Sequence, residues 1–427
     1  MAGQWRASWR SKQRRALPAV LLPAAIAISL SACGTLATTN ARDASAGPGT
    51  ASPSTTHPRT TPRTTPTTTP RTTPTTTPRI TPTTEPATTT TTVPPLTLVG
   101  VVPADKAKEV GPSTPIVLRF NRAPGPAVPR PTVSPATAGH WSQAGRRLVF
   151  TPSGYWDPAT TYRVAVHLRA RTKVVQFTTR LPSVLTLQQY LAMLGYLPLR
   201  FTPTGVVPNR KAVLAKEPTN PNLVPQVPVP GVFTWSYPNI PSSLWQQWHR
   251  GLPNVVTTGA VMQFELAQGL APDGDPGPLV WNALIKAVAK REMNTNPYNY
   301  VIVSEALPET LYVWQDGKFV YDTLTNTGVP GATTPQGTWP VAYKQNPNLM
   351  KGCDVNGSCY SVWVNYASYF LPSVGDAIHA YPRPGYGYPQ SNGCVEVPES
   401  QGETVYGYDP VGTLVTVTSW AGPAQHG

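Results

Sequence analysis

The chain has 427 residues, enough for two or three domains, but 52 of them are proline, more than twice the ordinary usage of about 5%. Its formal net charge is +14, yet only 13% of residues are charged and no block of five or six Lys or Arg occurs, which argues against a nucleic-acid partner. The dispersed basic residues suit either plain solubility or loose attraction to an anionic surface such as lipid head groups or a cell wall.

The N-terminus has a basic region ending at Arg15, an apolar run from Ala16 to Ala32, and then Leu-Ser-Ala-Cys-Gly. This order reads as a secretory leader rather than as folded structure. Leu30-Ser31-Ala32 before Cys33 resembles the lipobox of bacterial lipoproteins, which implies residues 1–33 as a lipoprotein signal, cleavage before Cys33 and a lipid on its sulfur. The other reading is an uncleaved signal anchor. Either way the bulk of the chain is expected outside the cytoplasmic membrane and tethered to it, since no later run approaches the roughly 20 apolar residues of a membrane span.

Residues 34–95 are dominated by Thr and Pro, with Pro-Arg-Thr-Thr-Pro-Thr-Thr-Thr starting at Pro62 and again at Pro70. Such a segment has nothing to bury and is expected to be a disordered linker. In polyproline II conformation, at about 3.1 Å per residue, its roughly 60 residues span on the order of 150 Å.

Residues 96–180 alternate apolar and polar residues in short runs such as Pro115–Asn121, Arg146–Pro152 and Thr161–Leu168, separated by Pro and Gly. The spacing predicts a small β-sandwich. The segment resembles the bacterial Ig-like domains that precede cell-wall enzymes. His140 and His167 have no partner motif here and read as surface or structural residues.

In residues 181–290, Leu187, Tyr190, Leu191 and Leu194 recur at helical spacing with Gly195 as a stop. A second helix carries Val261, Phe264 and Leu266, and a third carries Val280, Trp281 and Leu284. Together they resemble a small three-helix peptidoglycan-binding domain, interrupted by an unusually long connection from Arg200 to Val256 that either covers or extends a binding groove. A plain helical spacer is the competing reading. Residues 297–421 are rich in strand signals, with Asp316-Gly317 as a hairpin turn and a short helix after Pro398. The fold class expected is therefore multidomain and mainly β: an Ig-like sandwich, a small helical module and a β-rich C-terminal domain.

Four cysteines sort by position. Cys33 belongs to the leader. Cys353 and Cys359 flank a short Gly-containing loop of an exported chain, where a disulfide is the expected use. Cys394 is left as the odd thiol. His379 lies fifteen positions before it, and no other His occurs between Arg250 and Gln425. A thiol of ordinary pKa needs a base to become a nucleophile, so any imidazole that serves Cys394 is His379. The residues alone leave open whether Cys394 is a nucleophile or a buried inert thiol.

The order His379, then Ser391-Asn392-Gly393-Cys394, resembles the L,D-transpeptidases of bacterial cell walls (the YkuD domain family), in which a His is followed by Ser/Thr-His-Gly-Cys. The likeness runs from Tyr300 through Gly331–Val341 to the closing Val411–Val417. It implies that Cys394 is the nucleophile, His379 the general base, and the backbone N–H groups of Gly393 and Cys394 the oxyanion donors. Ser391 and Asn392 would shape the substrate loop. The substrate implied is a tetrapeptide stem of peptidoglycan. Cys394 would attack the carbonyl before the terminal D-residue, and an amine on a neighbouring stem would resolve the acyl-enzyme as a 3→3 cross-link. Carbapenems are the inhibitors implied, and neither metal nor organic cofactor is.

The sequence departs from the family at two places. Asn392 stands where the family has a second His, and Glu396 stands two positions after the Cys, where Asn or Arg is usual. Glu396 is expected to remove a cation from the neighbourhood of an acidic stem. Tyr381, Tyr386 and Tyr388 crowd the loop between His379 and Ser391, either as a lid or substrate wall or as packing under it, and Trp339 and Trp363 read as core. The competing functions are an L,D-carboxypeptidase, with water as acceptor, and a non-catalytic wall-binding lipoprotein with a decayed site. A working Cys394 is expected to alkylate well below pH 8.

Overall fold

The computed structural model describes residues 93–169, 171–206 and 219–423. The leader, Cys33 and the Thr/Pro tract as far as residue 92 lie outside them. Among the described residues no helix is long and apolar enough to cross a membrane.

Eight strands come first: β1 (Leu98–Val102), β2 (Ala107–Val110), β3 (Ile116–Phe120), β4 (Thr132–Ser134), β5 (Gly139–Ala144), β6 (Arg147–Pro152), β7 (Thr161–Leu168) and β8 (Arg171–Thr179). They form two four-stranded sheets, β1-β3-β6-β5 and β2-β8-β7-β4. The period of two in β3 buries Ile116, Leu118 and Phe120 and leaves Arg119 outside. Between the sheets Trp156, Tyr162 and Phe177 pack ring against ring, and the Trp156 indole N–H donates to the Thr114 carbonyl at 2.9 Å. His140 is exposed, and His167 Nδ1 lies 3.1 Å from Thr172 Oγ1.

Helix α1 (Val184–Met193) starts where the Ser183 hydroxyl caps the Thr186 N–H, and it buries Leu187, Tyr190 and Leu191. The long connection that follows is folded. It contributes β9 (Leu199–Pro203) paired antiparallel with β10 (Gly231–Trp235), a turn of 3₁₀ helix at Pro221–Leu223 and a short α2 (Ser242–Trp245). Helices α3 (Val255–Ala267), capped by Asn254, and α4 (Pro278–Lys290), opened by proline, complete the module. Val261, Phe264, Trp281 and Leu284 are buried as expected, but Leu266 is exposed. At two positions beyond Phe264 its side chain leaves the helix on the opposite face.

The connection acts as a joint between modules. Towards the sandwich, the buried Gln226 amide donates to the Trp156 carbonyl at 2.7 Å, and the Asn222 carbonyl accepts from the Tyr155 N–H at 2.8 Å. Towards the C-terminal domain, the Asn239 carbonyl accepts from the Trp314 indole N–H at 3.2 Å, and the Ser243 hydroxyl accepts from Tyr300 at 2.9 Å.

The C-terminal domain has two sheets. The first is ordered β13 (Lys318–Leu324), β12 (Thr310–Gln315), β11 (Asn299–Ser304), β20 (Leu414–Thr418), β14 (Gly337–Pro340). The second runs β15 (Tyr343–Gln345), β17 (Cys359–Leu371), β18 (Asp376–Ala380), β19 (Val395–Val397), with β16 (Asn348–Cys353) paired to the far half of β17. The Asp316-Gly317 turn has positive φ at both residues, 48° and 96°, as a tight hairpin of this hand requires. Strand β11 is buried on both faces. Tyr300 and Ile302 join one core with the helices, while Val301 and Val303 face the second sheet together with Ile378, Val395 and Val397. Helix α5 (Glu399–Tyr408) follows β19.

Trp363 is not a core residue: it is 68% exposed. It lies in the half of β17 that pairs only with β16, on the outer face beside Leu349, whereas Met350, Val362 and Val364 line the inner face. Trp339 is half-buried and packs on Phe370.

Truncating a side chain at the joint is therefore expected to cost far more than truncating the exposed tryptophan. Leu244→Ala, at 0% exposure in the shared core, should destabilise by about 2–5 kcal/mol, and Trp363→Ser by roughly 0.5 kcal/mol or less. Denaturant midpoints at constant m-value report both.

Candidate active site

Strands β18 and β19 run parallel, with His379 directly across from Glu396. Parallel neighbours need a crossover, and here it is residues 381–394, which contain no helix. Their backbone is satisfied by the segment after β13. The Gly387 N–H donates to the Thr325 carbonyl, the Ser391 N–H to the Thr327 carbonyl and the Val329 N–H to the Ser391 carbonyl, all at 2.9 Å. That segment is held in turn by the buried carboxylate of Glu309, which accepts from the Thr327 N–H at 2.6 Å and its hydroxyl at 2.7 Å. The Thr334 hydroxyl donates to the Gly393 carbonyl at 2.8 Å.

The loop closes on Ser391. Its hydroxyl donates to the Cys394 carbonyl at 2.5 Å and accepts from the Gly393 N–H at 3.2 Å, so both are committed to the turn. Gly393 has φ +114°, and a Cβ there would stand 2.6 Å from Asp376 Oδ1. Only glycine meets both conditions at once. The turn delivers Cys394, half-buried, to the mouth of β19.

Cys394, His379, Tyr381, Ser391 and Asn392 line one cavity of about 180 Å³, together with Met350, Asp354, Tyr360, Val362, Val364, Arg383 and Glu396. The ring of His379 is buried and its Nδ1 lies 3.1 Å from the Ala380 carbonyl. A carbonyl can only accept, so Nδ1 carries the proton and Nε2 keeps its lone pair. The thiol lies 3.8 Å from the Gly375 carbonyl; no hydrogen bond joins it to His379 among the described residues. Tyr381 meets the His379 ring edge to face, with centroids 6.1 Å apart.

Burial drives the electrostatics. It pushes the Cys394 thiol up to about 12, and the carboxylates of Asp376 and Glu396 push the same way. Burial lowers His379, although its bond to Ala380 opposes this. Asp376, itself buried, is raised to about 6. The resting pair is thus a thiol and a neutral imidazole, which does not fit the expectation of ready alkylation below pH 8.

Three residues absent from the sequence reading shape the cavity. Arg383 donates from Nε and Nη2 to the two oxygens of Glu396, each at 2.8 Å, and packs its guanidinium 4.8 Å from the centre of the Tyr381 ring. The expectation that Glu396 strips the site of a cation is therefore corrected: Glu396 fastens one to the cavity wall. Asp354 sits in the hairpin between β16 and β17, whose ends are joined by the Cys353–Cys359 disulfide, and accepts from the exposed Asn392 amide at 2.5 Å. Tyr360 follows on the inner face of β17. None of the three carries a sequence motif: Asp354 and Tyr360 come from the β16–β17 hairpin, and Arg383 from within the crossover, where only the fold sets it against Glu396. Tyr386 serves the loop itself, donating to the Tyr381 carbonyl at 2.5 Å, and Tyr388 is exposed.

The rate of alkylation by iodoacetamide should rise about tenfold per pH unit through pH 8 without levelling, because the thiolate fraction grows that way below the pKa. Asp376→Asn removes a negative neighbour and should move the curve to lower pH. A plateau below pH 8 in the wild type would contradict this reading of the thiol.

Residues 298–417 match the family model of the L,D-transpeptidase catalytic domain, and residues 91–179 that of a bacterial Ig-like domain. Among curated proteins no match is found. Similar solved structures include an L,D-transpeptidase from Mycobacterium smegmatis, at 14% identity and TM-score 0.27, covering 76% of this chain and 99% of the other. Another is L,D-transpeptidase 3 from Mycobacterium tuberculosis in complex with a faropenem-derived adduct, at 15% identity and TM-score 0.27, covering 75% and 97%. The catalytic domain of the E. faecium L,D-transpeptidase acylated by ertapenem is 28% identical over 29% of this chain and 99% of that one, with TM-score 0.26. The chain carries an L,D-transpeptidase catalytic domain behind a bacterial Ig-like domain.

Proposed function

We propose that the protein is an exported cell-wall L,D-transpeptidase that forms 3→3 cross-links through a thioester on Cys394. The observation that carries this reading is one cavity lined by a lone thiol and an imidazole whose Nδ1 is committed to a carbonyl, in a segment matching the catalytic-domain family. Cys394 is the nucleophile and His379 the general base.

In the first half-reaction the thiol proton passes to His379 Nε2 as sulfur attacks the carbonyl preceding the terminal D-residue of a tetrapeptide stem. The C–N bond breaks, the proton goes to the leaving amine, and the thioester remains. In the second, an amine of a neighbouring stem attacks the thioester, gives up a proton to His379, and sulfur leaves and regains it. A neutral starting pair suits this sequence, because no stable ion pair has to be dismantled before attack. The oxyanion is assigned to the N–H groups of Gly393 and Cys394, and that of Gly393 has to be shared with Ser391 or released from it. No metal or organic cofactor enters the chemistry.

The wider reading keeps Cys33 as the lipid anchor, residues 34–95 as the stalk and residues 181–290 as a peptidoglycan-binding module. Peptidoglycan stems are then the partners, at the outer face of the cytoplasmic membrane, and carbapenems the expected inhibitors.

Mass spectrometry of muropeptides made in vitro tests the proposal. The wild type should yield 3→3 dimers with loss of the donor's terminal residue, Cys394→Ala none, and His379→Ala nearly as few. Tripeptide product without dimer would identify a carboxypeptidase, and no product at all a wall-binding protein. Asn392→Ala loses the bond to the Asp354 carboxylate and the hydrogen bond with Tyr360, and should leave a slower enzyme. An intact-mass gain of one carbapenem should appear in the wild type and vanish in Cys394→Ala.

A further inference from the structure

Among the described residues Arg383 is the one Arg or Lys that lines the cavity. Its guanidinium is fixed on three sides. Nε and Nη2 are spent on Glu396, Nη2 also donates to the Gln390 carbonyl at 3.1 Å, and the face rests on Tyr381. These bonds use three of its five N–H groups; the two on Nη1 have no protein acceptor among the described residues. Glu396 is 4% exposed with both oxygens taken, so it holds the arginine and offers nothing to a ligand amine.

We infer that Arg383, oriented by Glu396, is the receptor for the free C-terminal carboxylate of the donor stem, the group by which the site recognises a chain end. The inference rests on the transpeptidase reading of the cavity. The donor's terminal carboxylate stands one residue beyond the attacked carbonyl, and Arg383 shares its cavity with the thiol that attacks. A planar fork held by a bidentate carboxylate loses little freedom on taking a second acceptor, which makes it suited to planar carboxylate recognition. The other carboxylates near the thiol, Asp354 and Asp376, repel such a group, so a cation is needed to admit it. A stem extended by one more residue would place an amide where this carboxylate belongs, and the preference for a tetrapeptide would follow.

The competing explanation is a strut: the Arg383–Glu396 pair merely pins the crossover. Equilibrium binding separates the two. In a Cys394→Ser background, which cannot turn over, the ligands are a stem-type tetrapeptide ending in a free acid and the same peptide ending in a carboxamide. The acid should bind about tenfold or more tightly than the amide. In Arg383→Gln/Glu396→Gln, which leaves no lone buried charge, the ratio should fall to near one through loss of acid binding alone. Arg383→Lys should give an intermediate ratio, and it serves as the reading if the double variant fails to fold. Equal binding of acid and amide by the parent, or equal loss of both in a folded variant, would overturn the inference and leave the strut. Acyl-enzyme on wild-type Cys394 without any acid preference would sink the carboxylate receptor but not the transpeptidase. Acid preference that depends on Arg383, without acyl-enzyme, would do the reverse.

Discussion

The parallel pairing of β18 with β19 is the constraint from which the site follows. It sets His379 beside Glu396 and requires a crossover, and the crossover ends at Cys394. In most parallel pairs a helix makes that connection and satisfies its own backbone. Here a Pro- and Gly-rich loop makes it and has to borrow partners. Thr325, Thr327 and Thr334 supply them from the far side, anchored by Glu309. This accounts for the buried polar residues in a region with no evident chemistry: they replace the missing helix.

The same burial that fixes the loop sets its protonation. Desolvation opposes both a thiolate and an imidazolium, so it stabilises the neutral pair rather than a preformed ion pair. Glu396 meets the cost of its own burial with a bidentate partner, and the partner brings a guanidinium to the cavity wall. The hairpin of β16 and β17 closes the other side through Asp354, which accepts from the Asn392 amide. Asn392 thus faces the hairpin with a hydrogen bond.

Much of the architecture was legible because it follows periodicity. The period of two located the sandwich strands, helical spacing located the three helices, and Asp316-Gly317 marked its hairpin. Position and spacing also singled out Cys394 and His379. What could not be read depends on contacts distant in sequence. The connection from Arg200 to Val256 has weak local signals, yet Asn239, Ser243 and Gln226 tie it to neighbours on both sides. Trp363 reads as core by type, but β17 outruns its sheet there and exposes one face. Arg383 carries no motif, and its role emerges only once β18 and β19 place Glu396 against it.

His379 stands neutral beside a protonated thiol, with Nε2 free to receive its proton. Nitrogen-15 chemical shifts of the histidine ring in the resting enzyme measure this directly. The ring is expected to be more than half neutral at pH 6.5, the ordinary midpoint of histidine, because burial lowers it, and its neutral form should be protonated on Nδ1 and bare on Nε2. A ring protonated on both nitrogens at pH 7, or on Nε2 alone, would contradict it and require another route for the proton of Cys394.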